Sequence, residues 1–171
     1  MATTRGKGIL RKFFILICSV IIASGCAEVQ TTFNRVLSNL RAQMDGSETG
    51  TRDEAIRRYN YRGLQDQMFA EQPKVFPSAA SPEDEITQEL TFALLAPRPE
   101  KTFKVLEVVS LSGSNILIEL SRKDTSKMQG IHVSTVKFMV PRDLPRGNYR
   151  IVTSVSANGL EMKRNGGFTV R

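Results

Sequence analysis

The sequence predicts a mainly β protein, an antiparallel β-sandwich preceded by a short α-helical stem. Three observations carry that expectation. From residue 86 onward apolar residues recur with a period of two, in six short segments separated by Gly-, Pro- and Asn-containing turns. Before residue 72 the apolar period is three to four. Between the two regimes Pro73, Pro77 and Pro82 stand among small residues and read as a linker. The expected organisation is a targeting segment over 1–25, a helical stem and linker over 26–82, and a sandwich over 83–171.

Residues 1–12 are polar and basic, and residues 13–25 read FFILICSVIIASG. As a helix that apolar run spans about 20 Å at ~1.5 Å per residue, short against a bilayer core of ~30 Å. A basic start, a short apolar stretch and small residues at its end describe a secretory signal peptide. The run closes on Ala23-Ser24-Gly25-Cys26, which resembles the lipobox of bacterial lipoproteins, with Ala23 where that family usually has Leu. The resemblance implies a diacylglycerol thioether on Cys26, cleavage between Gly25 and Cys26, and Cys26 as the new N-terminus. Because Ala27 rather than Asp follows, it also implies the outer membrane, by a lipid anchor facing the periplasm or the cell surface. Two other readings stay open: cleavage at Gly25 or Ala27 to a soluble product, and a retained single-pass anchor. Cys18 lies inside the signal, so the cleaved chain has one cysteine and neither a disulfide nor a cysteine–metal site.

The charge is uneven. The chain of 171 residues has a formal net charge of +7, from 24 basic and 17 acidic residues. Arg5, Lys7, Arg11 and Lys12 are basic residues of the signal, which has no acid, so the rest carries 20 basic against 17 acidic groups, a net +3. That is too little to argue for nucleic acid as a partner.

In the stem, Phe33, Val36, Leu37, Leu40 and Met44 fall on one helical face that Gly46 would end. Ser47 to Gly50 is a polar break. Thr51-Arg52-Asp53-Glu54 fits a capping box, and Ile56, Tyr59, Leu64 and Met68 continue an apolar stripe past Gly63. Helices of this length need packing to persist, so each stripe must bury against something. Self-packing or a partly mobile stem is favoured over a partner near the membrane.

Residues 86–95 fit either a strand or a helix, since Ser81-Pro82-Glu83-Asp84 is a good helix start. Thr, Phe and Pro97 around 89–95 favour the strand. Residues 102–111 are rich in Val and Leu, and Ser112-Gly113-Ser114-Asn115 is a turn. Ile116, Ile118 and Leu120 alternate. Over 131–140 the alternation breaks, because Val136, Phe138 and Val140 share one face while Ile131 and Val133 sit on the other. A bulge at Ser134 and Thr135 would reconcile them. Tyr149, Ile151, Thr153 and Val155 give a clean inward face. Asn158-Gly159 is a hairpin turn, and Leu160, Met162, Phe168 and Val170 complete the last strand.

Asp143-Leu144-Pro145-Arg146-Gly147-Asn148-Tyr149 resembles the corner between the fifth and sixth strands of immunoglobulin-like and fibronectin-like sandwiches. In that family a Tyr opens the strand after a Leu-x-x-Gly turn and returns its hydroxyl to upstream backbone. The resemblance gives Leu144, Gly147 and Tyr149 those structural roles. It implies an immunoglobulin-like β-sandwich and is nearly silent on function.

Little in the chain suggests catalysis. The single histidine, His132, falls within a strand and reads as a surface or rim residue, with no nucleophile motif to serve. Glu83-Asp84-Glu85, the one acidic cluster, reads as first-turn charge or a solvated loop rather than a calcium site. No phosphate-cradling loop appears, so no metal, cofactor or small-molecule substrate is expected. Arg142, Arg146, Arg150, Lys163, Arg164 and Arg171 cluster late and offer a partner surface for an acidic polysaccharide, lipopolysaccharide phosphates or an acidic protein, although solvated charges that guard sheet edges are the favoured account. The expectation is a non-enzymatic, membrane-anchored lipoprotein that serves as a structural or protein-interaction module of the cell envelope. A carbohydrate-binding module for cell-wall or surface polysaccharide is the alternative. Three Tyr and no Trp argue mildly against it.

Overall fold

The computed structural model describes residues 42–113 and 116–171. They belong to one unit, Asn39–Arg171. The signal, Gly25, Cys26 and most of the first expected helix lie outside the described residues.

Among the described residues there are ten strands, which build two five-stranded sheets, and one helix. In chain order these are β1 Ala42–Gly50, α1 Arg52–Tyr59, β2 Gln67–Ala70, β3 Lys74–Phe76, β4 Ala79–Ala80, β5 Glu85–Leu95, β6 Phe103–Gly113, β7 Ile116–Lys127, β8 Gly130–Met139, β9 Gly147–Ala157 and β10 Leu160–Val170. The first sheet runs β1-β8-β5-β2, with β3 also paired to β5, and the second runs β4-β10-β9-β6-β7. All pairings are antiparallel except the short β4–β10 contact. This is a mainly β sandwich of immunoglobulin-like type. Among the described residues no helix is long and apolar enough to cross a membrane.

Period-two patterning puts one face of each sheet into the core. Ile86, Leu90, Phe92 and Leu94 of β5 face Phe103, Val105 and Leu111 of β6 and Tyr149, Ile151 and Val155 of β9, and all are buried. Gln88 lies among them and joins the sheets, its Nε2 donating to the Ile151 carbonyl at 3.2 Å and its Oε1 accepting from Thr153 Oγ1 at 2.9 Å. Residues 86–95 are thus strand, and Asp84 does not start a helix. Its carboxylate instead accepts the Ser81 N–H at 2.7 Å in the turn before β5.

The stem reading fails over its described part. Residues 42–50 form β1, paired along β8 from Ala42↔Phe138 to Gly50↔Ile131, so Met44 and Gly46 belong to a strand rather than a helix end. Met68 lies in β2 on β5, and the proline-rich stretch contributes β3 and β4. Residues 42–82 are therefore sandwich, not stem and linker. Local spacing of three and four loses here because the unpaired edges of β8 and β5 offer backbone partners that a lone short helix lacks.

The described helix, α1, forms where the capping box predicts it. Thr51 Oγ1 accepts the Glu54 N–H at 3.3 Å and Glu54 Oε2 accepts the Thr51 N–H at 2.7 Å. Asn60 ends the helix in the left-handed region, so the predicted stripe stops short and Leu64 stays exposed. Ala55 packs on the outer face of the first sheet with Ala93, Leu95 and Ile131. That packing explains the broken alternation of β8. Ile131 is buried on the outer face under α1, while Val136 and Phe138 are buried on the inner one. The β5–β8 register therefore runs without interruption, and no bulge falls at Ser134 and Thr135.

Register shifts lie elsewhere, in β1 between Glu48 and Gly50 and in β7. Val109 pairs with Ser121 and Ser110 with Glu119, which leaves Leu120 as the extra residue. A one-residue slip exchanges the two faces of a strand. Beyond Leu120 it is Ser121, Lys123, Thr125 and Lys127 that pair with the inward residues Val109, Glu107, Val105 and Phe103. Polar side chains thereby enter the sandwich at the β7 side.

Candidate functional site

The corner residues converge at one end of the second sheet. Leu144 is buried and donates its N–H to the Pro141 carbonyl at 3.1 Å. Gly147 has φ +152° and opens β9. The Tyr149 ring is buried and stacked on Phe168, centroids 5.7 Å apart, and its hydroxyl donates to the Pro145 carbonyl at 2.7 Å. That bond ties the β8–β9 loop to the strand it feeds.

The late basic residues do not form one patch. Arg142 pairs with Glu83 at 2.7 Å and Arg146 stands exposed, both in the loop before β9. Lys163, paired with Glu161 at 3.3 Å, projects from β10 opposite Ser154. Arg164 turns to the inter-sheet rim, where it donates to the Lys163 and Ala70 carbonyls.

Arg150 is different. It points outward from β9, with Ser112 of β6 and Gly167 of β10 as its cross-strand neighbours. It lines a recess of about 460 Å³ at the corner end of the second sheet, together with Ser78, Asn148 and Thr169. Thr169 Oγ1 donates to Asn148 Oδ1 at 2.8 Å, and the Asn148 amide N–H groups have no partner among the described residues. Arg150 makes no ion pair with a described residue.

A second polar group lies inside the sandwich, where β1 and β7 meet. Glu107 is 1% exposed, and its carboxylate lies 3.4 Å from Lys127 Nζ. Glu107 Oε2, Thr125 Oγ1 and Ser134 Oγ are buried without hydrogen-bond partners. His132 is also buried, not a rim residue. Its Nε2 donates to the Met128 carbonyl at 2.9 Å and its ring lies 5.5 Å from Phe92. Burial pushes its pKa below the usual histidine value, and Lys127 adds to this, while the Met128 bond, Glu48 and Glu107 oppose it. Among the described residues no three His, Cys, Asp or Glu side chains converge as metal ligands.

Sequence reasoning missed Glu107, Lys127 and Gln129. Gln129 Oε1 accepts from the Ala96 N–H at 2.7 Å and from Arg52 Nε at 3.0 Å, while its Nε2 donates to the Pro99 carbonyl at 2.9 Å. It thus holds the β5–β6 loop. Its one sequence signal is a long polar side chain immediately before Gly130.

No family model and no curated protein matches the chain. Solved structures do resemble it. The CARDB domain of a Pyrococcus furiosus protein, solved in complex with di-metal ions, is 13% identical, with 66% of this chain and 94% of that domain covered and a TM-score of 0.50. A β-glucosidase from Erythrobacter marinus is 9% identical over 62% of this chain, TM-score 0.45, and this chain spans only 16% of that enzyme. A β-glucosidase from Listeria innocua is 11% identical over 61% of this chain, TM-score 0.43, again with 16% of the enzyme covered. The CARDB likeness is one of fold.

Proposed function

We propose that the chain is an exported lipoprotein, acylated at Cys26, that presents its sandwich as a non-catalytic binding module of the cell envelope. The observation that carries the reading is the arrangement of the chain. A basic and then apolar segment closing on Ala23-Ser24-Gly25-Cys26 precedes a β-sandwich. Modules of this shape bind through end loops and sheet edges. Here the edge strand β7 runs for 12 residues, and the corner loop exposes Arg142 and Arg146 beside the Arg150 recess. The non-catalytic reading is supported by His132, which is bonded to backbone and packed on Phe92 rather than placed beside a nucleophile. Acyl chains on Cys26 would hold the module at the outer membrane with ~0.8 kcal/mol per buried CH₂, and an envelope protein is its partner.

The test is mass spectrometry of the N-terminal peptide from protein made in a diderm host. The expected peptide begins at Cys26 and carries a diacylglycerol thioether, and Cys26→Ala leaves unprocessed precursor. A free Cys26 thiol in membrane-purified protein overturns the reading.

A further inference from the structure

Anchoring at Cys26 and protein contact through the β7 edge and the corner loop assign no ligand to the Arg150 recess. We propose that this recess binds a hexuronic acid, a sugar that carries a carboxylate beside ring hydroxyls. The proposal concerns a ligand of the module and stands whether or not Cys26 is acylated.

The recess is built by missing side chains. Gly167 is outward-facing and exposed next to Arg150, so the strand surface is notched where a side chain would cover the guanidinium. Gly113 closes β6 with φ +155°, in the region that favours glycine. A Cβ there would stand 2.8 Å from the Asn148 carbonyl oxygen and from Tyr149 Cδ1. The end of β6 is therefore bedded directly on β9, and Ser112 is held at a fixed height beside Arg150. Below, the Tyr149 hydroxyl bond to Pro145 and the Phe168 stack brace the strands that carry the polar groups. The site sits on rigid elements rather than on a loop.

The chemistry of the lining selects the ligand. A guanidinium is a planar fork that matches a carboxylate in two parallel hydrogen bonds. Arg150 has no described carboxylate to satisfy it. Among the described residues it is the single charged one lining the recess, which suits one negative charge rather than the two of a phosphate monoester. Neutral groups surround it: the Ser78 and Ser112 hydroxyls, the Thr169 hydroxyl and the Asn148 amide N–H groups, which have no described partner. A sugar ring bearing hydroxyls next to its carboxylate has partners for all of these. A neutral sugar leaves the charge unanswered, and an acidic peptide side chain leaves the hydroxyls unanswered. The volume of about 460 Å³ admits one pyranose with water. Charge-assisted bonding replaces the aromatic platform that carbohydrate modules otherwise need, which fits a chain without Trp.

The experiment is calorimetric titration of the purified full chain with trigalacturonate, and in parallel with maltotriose, triglutamate and inorganic phosphate. Saturable binding of trigalacturonate alone is expected. Arg150→Ala should weaken it at least about tenfold, the loss of one charge-assisted pair. Gly167→Val should do the same by filling the notch. A Cβ at Gly167 meets only the Tyr149 carbonyl oxygen at 3.5 Å, an ordinary contact, so this variant keeps the fold and its melting temperature. Lys163→Ala, on the same outer face but outside the recess, should change nothing. No binding of trigalacturonate, or binding as tight as the wild type by Arg150→Ala and Gly167→Val, overturns the site. Equal binding of triglutamate or phosphate overturns the sugar assignment and leaves an unselective anion site.

Discussion

Lys127 lies across the open side of the sandwich with its ammonium 3.4 Å from the buried Glu107 carboxylate, and the two form the one ion pair between largely buried side chains among the described residues. The same ammonium stands 5.7 Å from the Phe92 ring centroid and beneath β1, where a Cβ on Gly46 would come within 3.3 Å of it. A side chain at position 46 would crowd that charge, so an edge glycine and a buried cation belong together.

Removing one partner strands the other in the core. Lys127→Met should cost about 3–5 kcal/mol, because Glu107 is 1% exposed and already has one unpartnered oxygen. The double change Glu107→Leu with Lys127→Met should recover most of that loss, since apolar replacement of a buried pair is close to neutral. Urea unfolding of the three proteins decides it. Equal stability of Lys127→Met and the double variant would show that the pair does not couple.

The Tyr149 hydroxyl is the only polar atom of a ring otherwise packed in the core. Tyr149→Phe keeps the Phe168 stack and leaves the Pro145 carbonyl without its donor. It should cost about 1–3 kcal/mol, a fall of several degrees in melting temperature. An unchanged melting transition would mean that the 2.7 Å bond contributes nothing net.

His132 links stability to pH. Burial lowers its pKa in the folded chain, so the unfolded chain binds the proton more readily. Stability from this residue is therefore full above the unfolded value near 6.5 and is lost as pH falls from there through the lower folded value. Glu48, Glu107 and Lys127 also face the ring, so the slope is read as a difference from a variant. His132→Gln should flatten the fall in stability as pH drops below about 6.5. A wild-type slope that survives the substitution assigns the effect to the carboxylates.

Much of the sandwich is legible because alternation, turns and caps are local. Asn158 and Gly159 both take positive φ, as the hairpin requires, and Thr51 and Glu54 cap each other as their spacing predicts. Alternation in β9 maps directly onto burial. What the sequence hides is non-local. Ile131 reads as an error of register until α1 is placed over it, and the facing of Lys123 and Lys127 depends on one extra residue at Leu120. The Arg150 recess is assembled from β6, β9, β10 and the turn at Ser78, and of its residues the sequence marks only Arg150 as a candidate partner contact and Tyr149 as a structural corner.

The boundary between stem and sandwich gives the last prediction. Residues 42–82 supply β1 through β4, which cover the edges of β8, β5 and β10, and α1, which covers Ile131. A fragment over 83–171 would expose those edges and the apolar surface beneath α1 and β2, so it should unfold without a cooperative transition and aggregate. A fragment over 42–171 keeps every described pairing and should melt cooperatively. Thermal unfolding followed by circular dichroism separates the two outcomes, and a cooperative transition in the shorter fragment would show that β1 to β4 are decoration on a core that stands alone.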